Sequence, residues 1–182
     1  MKDQVILVDN QDRPVGIMPK LEVHQKGLLH RAFSVFVFNS NGELLMQQRA
    51  SNKYHSSGLW SNTCCSHPYP GELVGVAAAR RLKEEMGIKC LLQPVFNFIY
   101  YSDLDSGLIE NEFDHVFFGY SDDVPAINRS EVSDYKYVDM NELAADIIQA
   151  PGKYTAWLKK CVHDVVHHYT KAVAEIDLNK QI

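Results

Sequence analysis

Residues 30–38 read His-Arg-Ala-Phe-Ser-Val-Phe-Val-Phe, nine positions dense in β-branched and aromatic side chains, and the run stops at Asn39-Ser40-Asn41-Gly42. Side chains of this kind pack well on a pleated surface, and the Asn/Gly cluster supplies a turn, so Leu44–Gln48 is expected to return as a partner strand. Val5–Val8 and Val15–Met18 form a second strand pair about a turn rich in Asn, Asp and Pro. Pro19-Lys20 opens a short helix that Gly27 ends. Phe96–Ser102, Phe113–Tyr120 and Tyr135–Val138 are further expected strands.

Glu72–Met86 is helical by composition: it has three consecutive alanines, no proline, and Leu82 and Met86 at i,i+4 beside Ala78 and Ala79, with Gly87 as the stop. A helix starts at Met140. Another runs from Tyr154 to about Val173 with Trp157, Cys161 and Val165 on one stripe, leaving the last nine residues or so as a loose tail. Strands and helices interleave without repeats or linkers, so the expectation is one α/β or α+β layered domain over residues 1–182.

The chain has 182 residues, 46% of them hydrophobic, enough for one core and short for two. Its formal charge of −5 excludes the concentrated Lys/Arg face that nucleic-acid binding needs. The first nine residues hold at most five consecutive apolar positions, too few for a signal segment. No stretch approaches the ~18 apolar residues of a membrane span. A soluble cytoplasmic protein is expected. Cys64, Cys65, Cys90 and Cys161 form no CxxC pair and are expected to be reduced thiols.

Glu110-Asn111-Glu112 precedes the Phe113–Tyr120 strand, and in extended chain residues i and i+2 face one way. The two carboxylates are either a solvated face or, given the apolar strand beside them, part of a buried site. His24, His30 and His67 sit near element boundaries; with Glu110 and Glu112 they would make an N3O2 set for a borderline or hard divalent ion. In the helix, Arg81 and Glu85 are i,i+4 neighbours with Glu84 adjoining. They are either an exposed ion-paired face or a carboxylate that holds Mg2+ against a diphosphate, with Lys20, Arg49, Lys53 and Arg81 as countercharge. Cys65 lies two positions before His67. Neighbouring charge is expected to tune its thiol toward neutrality as an acid or base; the competing reading is a nucleophile with His67 as its base. His55 has no assigned role, and His163, His167 and His168 are taken for a solvated helix face.

Trp60-Ser61-Asn62-Thr63-Cys64-Cys65-Ser66-His67-Pro68, the helix 72–87, Gly107-Leu108-Ile109-Glu110-Asn111-Glu112 and Trp157 together resemble the type I isopentenyl-diphosphate Δ-isomerases, a branch of the Nudix superfamily, over nearly the whole chain. The resemblance implies a Nudix-like mixed β-sheet layered between helices, with extra N-terminal strands and a C-terminal helix. It makes Cys65 and Glu112 a proton-transfer pair on opposite faces of a prenyl diphosphate, Tyr100 an aid on the glutamate side, and Trp157 a cover for the reacting carbons. His24, His30, His67, Glu110 and Glu112 would bind Mn2+ or Zn2+. Glu85 would hold the Mg2+ of the diphosphate, which Lys20, Arg49, Lys53 and Arg81 would contact. No flavin, nucleic acid or membrane is implied, and the chain would be a monomer or weak homodimer.

Glu72, Arg80, Leu82, Glu84, Glu85, Gly87 and Ile88 meet the hydrolytic Nudix box G-x5-E-x7-R-E-U-x-E-E-x-G-U, whereas Ser66 stands at its first glycine and Arg81 at the glutamate of its R-E pair. Trading a metal-ligand carboxylate for a cation favours holding a diphosphate over cleaving it. Ser66 also replaces the glycine usual between the isomerases' cysteine and histidine, so a slightly different local turn is expected. Two further readings stay open: a Nudix pyrophosphohydrolase using Glu84 and Glu85, and a non-enzymatic metal- or phosphate-binding domain.

Overall fold

The computed structural model describes residues 3–53 and 55–179. In chain order its elements are β1 (Gln4–Val8), β2 (Pro14–Pro19), α1 (Lys20–Lys26), β3 (His30–Phe38), β4 (Leu44–Arg49), β5 (Trp60–Ser61), β6 (Cys64–Ser66), α2 (Val74–Met86), β7 (Leu92–Asp103), β8 (Ile109–Tyr120), β9 (Val132–Val138), α3 (Met140–Gln149) and α4 (Ala156–Asn179). The hub is β3. One of its edges pairs in parallel with β8 from His30↔Glu112 to Phe38↔Tyr120. The other edge is shared end to end by β1 at His30, β6 at Phe33–Val35 and β4 at Val37–Phe38. The expected β3–β4 hairpin therefore forms, but over only two residue pairs, because β6 occupies the middle of that edge and β4 turns away to pair with β5 and β9. Neither β5 nor β6 was expected from the sequence; each is too short to show a periodicity.

Alternation along β3 divides the core. Phe33, Val35 and Val37 face α2, where they meet Ala77, Ala78, Leu82 and Met86. Phe36 and Phe38 face α3 and α4, meeting Leu143, Leu158, Cys161 and Val165. Each fully buried large side chain here contributes roughly 1.5–3 kcal/mol. The sheet is layered between helices, as expected.

Helix α2 starts at Val74, two residues later than the composition indicates. The Glu72 carboxylate is taken by the Tyr69 N–H and, in bidentate fashion at 2.7 Å, by Arg80. Ala79, expected in the core, is exposed, while Ala77 takes its place. Gly87 ends the helix at φ 73°, and a Cβ there would lie 2.9 Å from the Ala126 carbonyl oxygen, so conformation and space both demand glycine. Helix α4 continues to Asn179, past the tail expected from about 173. Residues 174–178, Ala-Glu-Ile-Asp-Leu, contain no helix breaker; the remainder of that tail, 180–182, lies outside the described residues. His163 and His167 are exposed as expected, but His168 is half-buried and stacks on Phe96 at 4.8 Å. Among the described residues no helix is long and apolar enough to cross a membrane.

Candidate active site

Strand register places the chemistry. Glu112 is the direct partner of His30 on one side and of Tyr100 on the other, while Cys65 pairs with Ser34, four residues along β3 from His30. Directly paired residues share a sheet face, as do residues two apart. His30, Glu110, Glu112, Tyr100 and Cys65 therefore rise from one face, with β3 separating the Cys65 and Glu112 strands. Glu110 and Glu112 lie inside β8 and are buried at 2% and 7% exposure, which removes the solvated-face reading.

Three imidazoles converge on these carboxylates. His24 Nδ1 lies 2.7 Å from the Lys20 carbonyl oxygen and His30 Nδ1 lies 2.9 Å from that of Leu28. A carbonyl only accepts, so each Nδ1 carries the proton and each Nε2 lone pair points inward. His30 Nε2 and His67 Nε2 are 3.2 Å apart, and Glu112 Oε1 lies 2.8 Å from His67 Nε2 and 3.5 Å from His30 Nε2. His24 Nε2 is 3.3 Å from Glu110 Oε2, a contact poorly aligned for a hydrogen bond, and Glu110 Oε2 is buried without one. Ligand atoms of His24, His30, His67 and Glu112 all lie within 4.8 Å of one another, and so do those of His24, His55 and Glu110. Converging lone pairs and a buried orphan oxygen fit a divalent cation.

The charges agree with this arrangement. Burial raises the Glu112 carboxyl, but the adjoining His30 and His67 imidazoles outweigh it and hold it well below the usual range. Burial and the Glu112 charge push Glu110 up. Burial and the Lys20 charge push His67 down to about 3. His24 goes the other way: burial opposes its protonation, but the Glu110 carboxylate outweighs burial.

Beside this cluster a pocket is lined by Cys65, Glu112, Glu110, His67 and Trp157, and by Lys20, Arg49, Lys53, Arg81 and Glu85. All four cations assigned from the sequence thus face one space. Lys53 and Arg81 both ion-pair with Glu131. Arg49 donates to the Ser56 and His55 carbonyls and sits 5.1 Å over the Trp157 ring. Glu85 is 4% exposed, with its carboxylate held by Arg81 and, at 3.0 Å, by Gln47. Only Glu84, with a side chain 43% exposed, fits the exposed ion-paired face. His24 and His30 are fully buried and do not line the pocket, and Tyr100 also stands outside its wall, donating to Glu112 Oε2 at 2.6 Å.

Cys65 departs from expectation. Its thiol is pushed up to about 12, because burial outweighs the Arg49 charge, so it is held protonated rather than tuned toward neutrality. Its hydrogen-bond partner is the Ser61 hydroxyl at 3.8 Å, while His67 is engaged by Glu112 and His30; the Cys65–His67 nucleophile pair is not formed. Ser66 lies in β6 paired with Phe33, an extended position at which glycine is not required. Sequence reasoning missed Gln47, Ser61, His55 and Glu131. Ser61 Oγ accepts from Trp157 Nε1 at 2.9 Å and from Thr155 at 3.3 Å, fixing the ring beside the thiol. A polar residue directly after Leu44-Leu45-Met46 was the available signal for Gln47; Glu131, in the turn before β9, gave none.

The layered fold and the helix bearing the box define a Nudix protein, and the NUDIX domain family matches residues 28–158. The fold is shared with a Deinococcus radiodurans protein (TM-score 0.73, 21% identity, covering 88% of this chain and 98% of that one) and with a MutT protein from Methanosarcina mazei (TM-score 0.63, 17% identity, 75% and 91%). The chain is 54% identical over 166 residues to isopentenyl-diphosphate Delta-isomerase 2 of Aromatoleum aromaticum, covering 91% of this chain and 88% of the relative. It is 55% identical over 156 residues to isopentenyl-diphosphate Delta-isomerase of Pectobacterium atrosepticum, covering 86% and 87%. The chain belongs to the isopentenyl-diphosphate Delta-isomerases of the NUDIX family.

Proposed function

We propose that Cys65 and Glu112 are the proton-transfer pair with which this isomerase interconverts isopentenyl and dimethylallyl diphosphate. One observation carries the assignment: a half-buried thiol and a buried carboxylate rise from the same sheet face, on strands flanking β3, into one pocket that four cations also line. The reaction adds a proton at the terminal alkene carbon and removes one from C2, passing through a tertiary carbocation. Such an ion needs a dry site that stabilises it without trapping it. The Trp157 face offers roughly 1–2 kcal/mol to a desolvated cation, and Ser61 and Asn62 fix its orientation through Nε1.

His24, His30, His67, Glu110 and Glu112 would hold Mn2+ or Zn2+, whose positive charge would compensate the two buried carboxylates and fix the orientation of Glu112. Glu85 would hold Mg2+ with the diphosphate, and Lys20, Arg49, Lys53 and Arg81 would bind that group's oxygens. Tyr100 acts through Glu112 and is a positioning residue. A single domain is supported by one sheet that joins every strand from β1 to β9, and a cytoplasmic location by four unpaired cysteines. We read the chain as a monomer or weak dimer.

The test is incubation with isopentenyl diphosphate, Mg2+ and Mn2+ in heavy water. Deuterium uptake into an allylic product without phosphate release is expected, and loss of both in Cys65→Ala and in Glu112→Gln with the fold retained. Pyrophosphate release would sink the isomerase mechanism in favour of hydrolysis, and near-normal turnover in either variant would remove that residue from the pair.

A further inference from the structure

His55 is a buried imidazole to which the family resemblance gives no role. Its placement resembles that of His24 and His30, with Nδ1 on an outer partner and Nε2 toward a carboxylate. Nδ1 lies 3.3 Å from the Ser56 hydroxyl, on the outside of the cluster. Nε2 points inward, 3.8 Å from Glu110 Oε1, beyond hydrogen-bonding distance yet at the separation of two ligands that share one ion. Its ring stacks on that of His24 with centroids 5.9 Å apart, and His24, His55 and Glu110 present ligand atoms within 4.8 Å of one another. His24 also belongs to the group formed with His30, His67 and Glu112. The two groups thus meet at His24.

We propose that His55 is a fourth imidazole ligand of the metal centre, completing an N4O2 set of His24, His30, His55, His67, Glu110 and Glu112. Six donors suit the octahedral preference of a hard or borderline divalent ion, and four nitrogens shift the choice away from Mg2+. This inference rests on the metal-centre reading above. The backbone supports the placement. Ser56 adopts φ 50°, a left-handed conformation disfavoured for serine, and Arg49 donates to both the His55 and Ser56 carbonyls, so the segment is held where the imidazole turns inward. The same segment carries Lys53, one of the pocket cations. A ligand on it ties the position of a diphosphate contact to occupancy of the metal centre.

Co2+ loaded into chelator-stripped protein gives the test. Each cobalt-bound imidazole ring N–H appears in the proton NMR spectrum as a strongly displaced signal that vanishes in heavy water. Four such signals are expected from the intact protein and three from His55→Ala, whose Co2+ affinity, measured by chelator competition, should fall at least about tenfold. Three signals from the intact protein, with His55→Ala unchanged, would overturn the fourth ligand and leave the three-histidine centre standing. Failure of the intact protein to bind Co2+ would overturn both.

Discussion

Tyr100→Phe isolates a single hydrogen bond in the reacting centre. The phenol donates to Glu112 Oε2 at 2.6 Å, and both side chains are buried, at 5% and 7% exposure. The two residues are direct cross-strand partners, so phenylalanine fits the same space and only the donor is lost. A hydrogen bond to a charged group contributes roughly 1.5–3 kcal/mol, and the abandoned carboxylate oxygen bears the loss because water does not replace the phenol. At about 1.4 kcal/mol per tenfold, that corresponds to a fall in kcat of about 10- to 150-fold if the bond is fully needed in the transition state. KM should stay within about twofold, since Tyr100 does not line the pocket and touches none of its cations. The same loss acts on the fold: for a chain of this size it lowers Tm by roughly 3–12 °C. Steady-state kinetics with isopentenyl diphosphate and a thermal melt provide both readouts. An unchanged kcat with an unchanged Tm would refute the view that Tyr100 holds Glu112, and a raised KM with an unchanged kcat would place Tyr100 in substrate binding instead.

Two other perturbations test the pocket and the helix that supports it. Glu131 pairs with both Lys53 and Arg81, occupying cations that a diphosphate needs, so Glu131→Gln should lower KM about 3- to 10-fold with little change in the chemical step; an unchanged or raised KM would show that Glu131 instead holds the cations in place. Arg80→Ala should destabilise the fold at neutral pH by about 1 kcal/mol through loss of the partly buried bidentate pair with Glu72. The Arg80 hydrogen bonds depress the Glu72 carboxyl below its ordinary 4.5. The pair's contribution is therefore complete above pH ~5 and disappears as pH falls through the folded-state value. Chemical denaturation of both proteins from pH 7 to pH 3 should show the difference shrinking only below about pH 4.5, and a difference constant to pH 3 would refute the linkage.

Periodicity and punctuation made most of the fold legible in the sequence. The runs at β3, β8 and α4 are long enough to declare their type, and Gly27 and Gly87 end their helices in the left-handed conformation, at φ 61° and 73°. Local rules failed where an element takes its form from its neighbours. Strand β6 exists because the edge of β3 accepts it and β5 because β4 does, and α2 starts late because Glu72 is held by Tyr69 and Arg80.

The site divides along the same line. Glu110 and Glu112 could be placed on one side of a strand because alternation is local. The residue types at Cys65, His67 and 81–85 were enough to name a diphosphate, a metal and a thiol. Whether those groups meet depended on register between strands distant in the chain, such as His30 against Glu112 and Ser34 against Cys65. The state of each group was also a tertiary matter. Burial keeps Cys65 protonated, against the tuning that its neighbours in sequence suggested. His55 and Glu131 entered the site only through folding, on segments with no chemical signature of their own. Amino-acid order alone determined which chemistry was available to this protein. Packing decided which side chains lost their water and came within reach of one another, because desolvation and distance are properties of the assembled layers, not of any one segment.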